Sequence, residues 1–216
     1  MTEIIKLTMV LTFICVISAI VIVFTDFKTK DQILLKQQEL EKKALIKVTP
    51  AGYNFTKESR EFSECPDQYW IGTRGNDTVY IFRIMIRGNS SLIKYLVCVD
   101  KNGTIKGMTI LCQAETPGLG ARIQEVTCNE FIWASLFKKR EPGSPWFTRQ
   151  FKDINITKDI SIETHTNEWY KLDNIEQARL RSKNSITAIT GATITTNAIV
   201  RGIESQARAH LKALRG

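Results

Sequence analysis

From Leu7 to Thr25 the chain is almost wholly apolar and carries no charged residue. A run of this kind has two solutions: it is enclosed by protein on every side, or it lies in lipid. Roughly 19 helical residues at ~1.5 Å rise span a ~30 Å hydrocarbon core. Nothing charged interrupts the run to give it an amphipathic face, so the membrane reading is preferred. No small-residue cleavage site follows Phe24, so the segment reads as a retained anchor rather than a removed signal. Flanking charge does not set an orientation. Lys6 stands on one side, and Lys28 and Lys30 on the other are offset by Asp26 and Asp31.

After the anchor, Gln32 to Val48 predicts a juxtamembrane helix with Ile33, Leu34, Leu40, Leu45 and Ile46 as its apolar set. Pro50 and Gly52 end it. The expected organisation is therefore an anchor over residues 1–27, a helix and linker over 28–50, and one domain over 51–216. Residues 52–78 are polar and give no clear element. Val79–Ile86 and Leu92–Val99 are rich in β-branched and aromatic residues and predict strands. Asp100-Lys101-Asn102-Gly103 is a hairpin turn signal, and Thr104–Cys112 returns as a third strand. Strand, turn, strand argues for an antiparallel sheet, and no G-x-G-x-x-G opens a helix, so a dinucleotide fold has little support. Asn129–Lys138 predicts a helix, Asp159–Glu163 a further strand, and Asn174–Arg181 a short helix. The aromatic group Trp146, Phe147 and Phe151 is assigned to core packing before flavin stacking. The fold class is α+β.

Composition removes several functions. The formal net charge is +8, but Lys and Arg are scattered, with only short clusters such as Lys138-Lys139-Arg140. Aromatics do not interleave with them, so nucleic acid is not the expected partner and the charge reads as a solvated surface, open to anionic lipid or an acidic partner. The 5 cysteines form no C-x-x-C pair and the 2 histidines lie far apart, so no metal site is expected. The sequence leaves a disulfide among the last four open, and Cys98 and Cys112, in strand-like runs, read first as buried free thiols. No Ser/His/Asp or Cys/His arrangement and no carboxylate pair argues for hydrolysis.

Near the C-terminus, Thr187-Ala-Ile-Thr190-Gly191-Ala192-Thr193-Ile-Thr195-Thr196 precedes a periodic apolar set: Ile194, Ala198, Ile199, Ile203, Ala207, Leu211 and Leu214. This is one face of a helix. Thr193 or Thr195 is the expected N-cap, and the free N–H groups of such a helix start favour a phosphate. Gly191 lets a ligand approach the backbone.

Thr190-Gly191-Ala192-Thr193 resembles the flavinylation motif D-x-x-[S/T]-G-A-T of the FMN-binding domain family, with Thr187 at the place of the family's Asp. A second stretch, Glu115-Thr116-Pro117-Gly118-Leu119-Gly120, follows the Asn-Gly hairpin and is similar to another motif of that family. The resemblance implies covalent FMN on Thr193 through a phosphoester. It makes Thr190, Gly191 and Ala192 the phosphate loop, and sets Glu115, Thr116, Gly118 and Leu119 against the flavin ring. It also implies an electron carrier without independent activity, in an Rnf-type ion-translocating ferredoxin:NAD oxidoreductase complex. Other membrane subunits, lipid and a flavin transferase are the implied partners. The implied location is the cytoplasmic membrane, single-pass, with the flavin domain on the extracytoplasmic side. An NqrC-type or stand-alone flavoprotein, and an anchored binding domain without flavin, are the alternatives.

Overall fold

The computed structural model describes residues 2–62, 65–126, 144–164 and 166–215. The helix expected over Asn129–Lys138 lies outside them. The chain divides into two units, Met1–Lys43 and Ala44–Gly216.

The first unit belongs to one helix, α1, Thr2–Val48. The sequence separates an anchor from a juxtamembrane helix, whereas the structure joins them. No Gly or Pro occurs between Thr2 and Val48, and exposed charges such as Asp26 and Asp31 carry no penalty large enough to stop a helix. At 47 residues it is about 70 Å long. Among the described residues it is the one helix long and apolar enough to cross a membrane. Threonine hydroxyls along it are satisfied internally: Thr8, Thr12 and Thr25 each donate to the carbonyl four residues back, at 2.8–2.9 Å.

The second unit is built on an antiparallel meander of β1 (Asn54–Phe62), β2 (Cys65–Arg74), β3 (Asp77–Arg87), β4 (Leu92–Asp100) and β5 (Ile105–Cys112). β1 and β2 occupy the stretch in which the sequence gives no element. The expected hairpin joins β4 to β5. The Asp100 carboxylate accepts from Asn102 N–H (2.8 Å) and Thr104 N–H (2.9 Å), and Gly103 takes φ +83°.

Both faces of the sheet are covered along β3 and β4, which explains their nearly unbroken apolar sequence. Phe82, Ile84, Tyr95, Val97 and Val99 face the main core. Ile81, Leu96, Cys98 and Trp70 face a smaller cluster completed by Leu45 and Val48 from the last turn of α1. A Cβ at Gly107 would strike the Val48 carbonyl, so that turn lies directly on β5. Burial pushes the Cys98 thiol up to about 12. Cys112 corrects the sequence reading: it ends β5 and is exposed.

The main core is closed by short elements. α2 (Trp146–Arg149) brings Trp146 and Phe147 edge-on at 5.8 Å, and Phe147 meets Phe151 at 5.4 Å. All three are fully buried, as core residues. α3 (Asn174–Ser182) is capped by Asp173, which accepts from Glu176 N–H at 2.7 Å. β6 (Ser161–Glu163) pairs in parallel with β7 (Ser185–Thr187).

The chain ends in α4 (Thr193–Gly202), a π-helical turn (Ile203–Ala207) and α5 (Arg208–Arg215). The π turn has a cause in the sequence. Ile199, Ile203, Ala207 and Leu211 recur every four residues, and each step of four drifts ~40° round an ideal helix. Three steps would carry Leu211 ~120° off the face, and a wider turn absorbs the drift. All four residues are buried. Above the turn, Tyr95 donates its hydroxyl to the Ile199 carbonyl at 2.7 Å, and Gly202 leaves room for the ring.

One ion pair staples the 3-10 turn Gly120–Gln124 to the 3-10 turn Trp169–Lys171. Arg122 donates through both terminal nitrogens to Glu168, at 2.7 and 2.9 Å, and Glu168 is 4% exposed. Burial raises the Glu168 carboxyl, but the Arg122 guanidinium and the Thr190 N–H outweigh it and hold the group at about 2. A lowered carboxyl stabilises the fold above its ordinary titration range, and that contribution is lost as pH falls toward 2. Glu168→Gln should therefore cost roughly 3 kcal/mol at pH 7, measured by denaturant unfolding. The gap to the unchanged protein should close between about pH 5 and pH 2. A gap independent of pH would show that the pair is not the source.

Candidate functional site

Two loops converge on the start of α4. The first, Glu115–Gly120, leaves β5. The second, Thr190–Ala192, follows β7.

The approach to the second loop is fixed at Thr187. This residue is fully buried. Its N–H donates to Gln150 Oε1 (2.9 Å), its carbonyl accepts from Gln150 Nε2 (3.2 Å), and its hydroxyl accepts from Trp169 N–H (3.0 Å) while donating to Gln150 Oε1 (3.1 Å). A carboxylate could accept from Trp169 but could not donate to Gln150. Thr187 and Gln150 thus form a self-consistent pair at the place of the family's Asp. Beyond it, Thr190 N–H donates to Glu168 at 3.2 Å and Gly191 takes φ +78°. A Cβ on Gly191 would lie 3.0 Å from Leu119 Cδ2, so the two loops touch there.

Glu115 joins three segments. Its carboxylate accepts from the Ser90 and Ser91 N–H groups (2.9 and 2.8 Å), from Ser91 Oγ (3.2 Å), from Asn89 N–H (3.3 Å) and from Thr195 Oγ1 (2.7 Å). Burial raises its pKa, but the Thr195 hydroxyl and the Ser90 and Ser91 donors prevail and hold it below the ordinary value. The packing leaves no slack. A Cβ at Gly120 would lie 2.5 Å from Glu115 Oε2, and one at Gly88 would lie 2.6 Å from Oε1. Gly118 is glycine for a different reason, its φ of +76°.

The helix start differs from the sequence reading. The N-cap is Ala192, not Thr193 or Thr195, and no side chain caps the turn. The Thr195 hydroxyl is committed to Glu115, and that of Thr196 donates to the Ala192 carbonyl at 3.2 Å. Both residues are buried, whereas Thr193 is exposed. The first N–H groups of α4 are therefore left without intrahelical or side-chain acceptors, beside an exposed hydroxyl.

Between the loops lies a cleft of about 280 Å³. Of the residues singled out from sequence, Glu115, Thr116, Leu119, Gly191, Ala192 and Thr193 line it. Thr190 and Gly118 stand just outside and shape the backbone. Asn89, Gly120, Ile194 and Thr195 also line it, which the sequence reading missed. Gly120 and Thr195 lie inside or beside the two loop motifs. Asn89 carries no signal in the sequence, because its place depends on a contact with Glu115 across the fold. Ile194, assigned to the buried helix face, is 63% exposed at the cleft, and Leu119 is 44% exposed. The cleft thus offers apolar contact for a flat ring, N–H groups for a phosphate and one free hydroxyl. FMN fits that set. Among the described residues no group of three or more His, Cys, Asp or Glu could hold a metal ion.

The chain is similar to known proteins in sequence and in fold. The G subunit of the proton-translocating ferredoxin:NAD(+) oxidoreductase complex of Clostridium ljungdahlii is 25% identical over 203 residues, covering 94% of this chain and 89% of that protein. The G subunit of the ion-translocating oxidoreductase complex of Methanosarcina acetivorans is 26% identical over 212 residues, covering 94% and 92%. In fold, the chain is similar to the crystal structure of the C subunit of Na(+)-translocating NADH-quinone reductase from Parabacteroides distasonis. The TM-score is 0.53 at 17% identity, over 86% of this chain and 97% of that one. The sequence profile of the FMN-binding domain matches residues 88–207, from the turn before β4 through the π turn, and takes in both loops of the cleft. That is more than half of the chain, and the protein belongs to the FMN-binding domain family.

Proposed function

We propose that this protein is a membrane-anchored electron carrier that holds FMN as a phosphoester on Thr193 and serves as a subunit of an Rnf-type ion-translocating complex. The observation that carries the reading is the uncapped start of α4. There one exposed threonine hydroxyl stands beside unpaired N–H groups, facing an exposed leucine of a second loop. The G-subunit relatives, matched over nearly their whole length, support the choice of complex. Bound FMN supplies one- and two-electron exchange, which no side chain here provides. The chain's own part is to position and shield. Thr193 holds the group, and the first N–H groups of α4 face its phosphate charge. Leu119 and Ile194 keep water from the ring. Glu115 and Glu168 hold the two loops at fixed spacing. α1 anchors the domain, on the extracytoplasmic side.

Intact mass of the membrane-extracted protein should exceed the sequence mass by FMN less one water. Thr193→Ala should abolish the excess, while Thr190→Ala should keep at least part of it, because Thr190 lies outside the cleft. Excess mass surviving Thr193→Ala would refute the attachment site.

Leu119 should tune the flavin without holding it. Leu119→Ala should remain flavinylated, with a shifted absorbance band and reduction potential, since the lost contact re-exposes ring area at ~25 cal/mol per Å². An unchanged spectrum and potential would remove Leu119 from the ring.

The exposed thiol of Cys112 reports topology. In a variant retaining only Cys15, Cys98 and Cys112, a membrane-impermeant maleimide should label Cys112 in intact spheroplasts. Labelling that requires lysis would place the domain in the cytoplasm.

A further inference from the structure

We propose that a second, cationic cleft beside the flavin cleft docks an acidic segment of the redox-partner protein. The cleft encloses about 320 Å³ and is lined by Ile86, Arg87, Ile194, Asn197, Ala198 and Arg201. Arg87 ends β3, and Arg201 lies on α4 two turns beyond Thr193. Long side chains on a helix lean toward its N-terminus, so Arg201 leans toward the Thr193 end.

Three features set this cleft apart. First, both arginines are exposed, and neither guanidinium makes a hydrogen bond or ion pair among the described residues. By contrast Arg74, Arg122 and Arg208 each pair with a carboxylate. Second, the surface between them is apolar: Ala198 is 9% exposed, Ile86 is partly buried and Ile194 is 63% exposed. Asn197 is drawn away, donating to the Thr193 carbonyl at 2.9 Å. Third, Ile194 lines both clefts, so whatever fills the second lies against whatever fills the first.

Two guanidiniums flanking apolar surface match carboxylates flanking an apolar side chain. The planar fork binds a carboxylate with two parallel hydrogen bonds, and exclusion of water strengthens them. The arginines do not line the cleft of Thr193, where the proposed reading gives the phosphate to the helix N–H groups. They are therefore free for a partner, and such pairs govern the rate of encounter and its dependence on salt.

This proposal rests on the reading that FMN occupies the Thr193 cleft, and its test separates the two. Full-length flavinylated protein in detergent is titrated with rhodamine-labelled hexaglutamate, followed by fluorescence anisotropy. The double variant Arg87→Glu, Arg201→Glu should lose about tenfold in affinity. The charge-matched control Lys152→Glu, Lys158→Glu should lose little, and added salt should weaken binding in the unchanged protein far more than in the arginine variant. In membranes containing the whole complex, the arginine variant should exchange electrons with the flavin more slowly and with a flatter salt dependence. Equal loss in the control would mean that net charge, not this cleft, binds the peptide, and would overturn the proposal. So would displacement of the peptide by phosphatidylglycerol vesicles in preference to free hexaglutamate, which would mark a lipid surface. Loss of the flavin mass from the arginine variant would assign the arginines to the cofactor instead. If the unchanged protein carries no added mass while the peptide still binds at the arginines, the flavin reading fails and the cationic cleft stands.

Discussion

Two oxygens of Glu115 receive five donors from two stretches of chain, the turn Asn89–Ser91 and Thr195 on α4. With its own loop, that makes three segments held by one side chain. No other contact described in the cleft has this reach. A carboxylate is suited to the work because it accepts on both oxygens and donates nothing, so every neighbour is compelled to be a donor. Leaving such donors buried and unpaired costs on the order of 1–3 kcal/mol each, so the loops have few alternative placements. Gly88 and Gly120 follow from this: each is a position where a methyl group would collide with that carboxylate.

Glu168 does the corresponding work on the other side. It anchors Arg122, just beyond the first loop, and accepts from Thr190 N–H at the start of the second. The cleft is thus framed by two carboxylates that are each satisfied by protein. Beyond Glu115, its polar lining is Asn89, Thr116, the Thr193 hydroxyl and backbone N–H groups, and its exposed apolar surfaces are Leu119 and Ile194. The charged side chain that lines the cleft, Glu115, is committed to architecture through its own donors.

Much of this is legible in the sequence where the cause is local. The apolar run sets α1, β-branched runs set β3 to β5, and Asp100 to Gly103 sets their hairpin. The two loop motifs stand out before any fold is known. What escapes is non-local. β1 and β2 read as polar loops because their strand state comes from pairing, β2 with β3 and β1 with β2, a ladder their own residues do not demand. The threonines at the start of α4 have the composition of caps, yet Thr195 turns to a carboxylate 80 residues away. Cys112 sits in a strand pattern but at the strand's end, where burial stops. Thr187 departs from the family's Asp, and only the fold supplies Gln150, whose amide makes a hydroxyl the better partner.

The π turn carries a consequence for chain length. Between Ile199 and Leu211 there are twelve steps of sequence, where three turns of ideal α-helix need about eleven. The segment is in effect an α-helix with one residue inserted, the extra length taken up in a single widened coil. Removing the exposed Ser205 would restore the ordinary helical pitch and return Leu211 to the same side as Ile199. It would also leave Gln206, whose amide bonds both backbone groups of Met85 on β3, available to the strand. The core thus constrains which side of the helix is buried here more than how many residues the helix contains, and loss of one residue from this coil is expected to leave the buried surface in place.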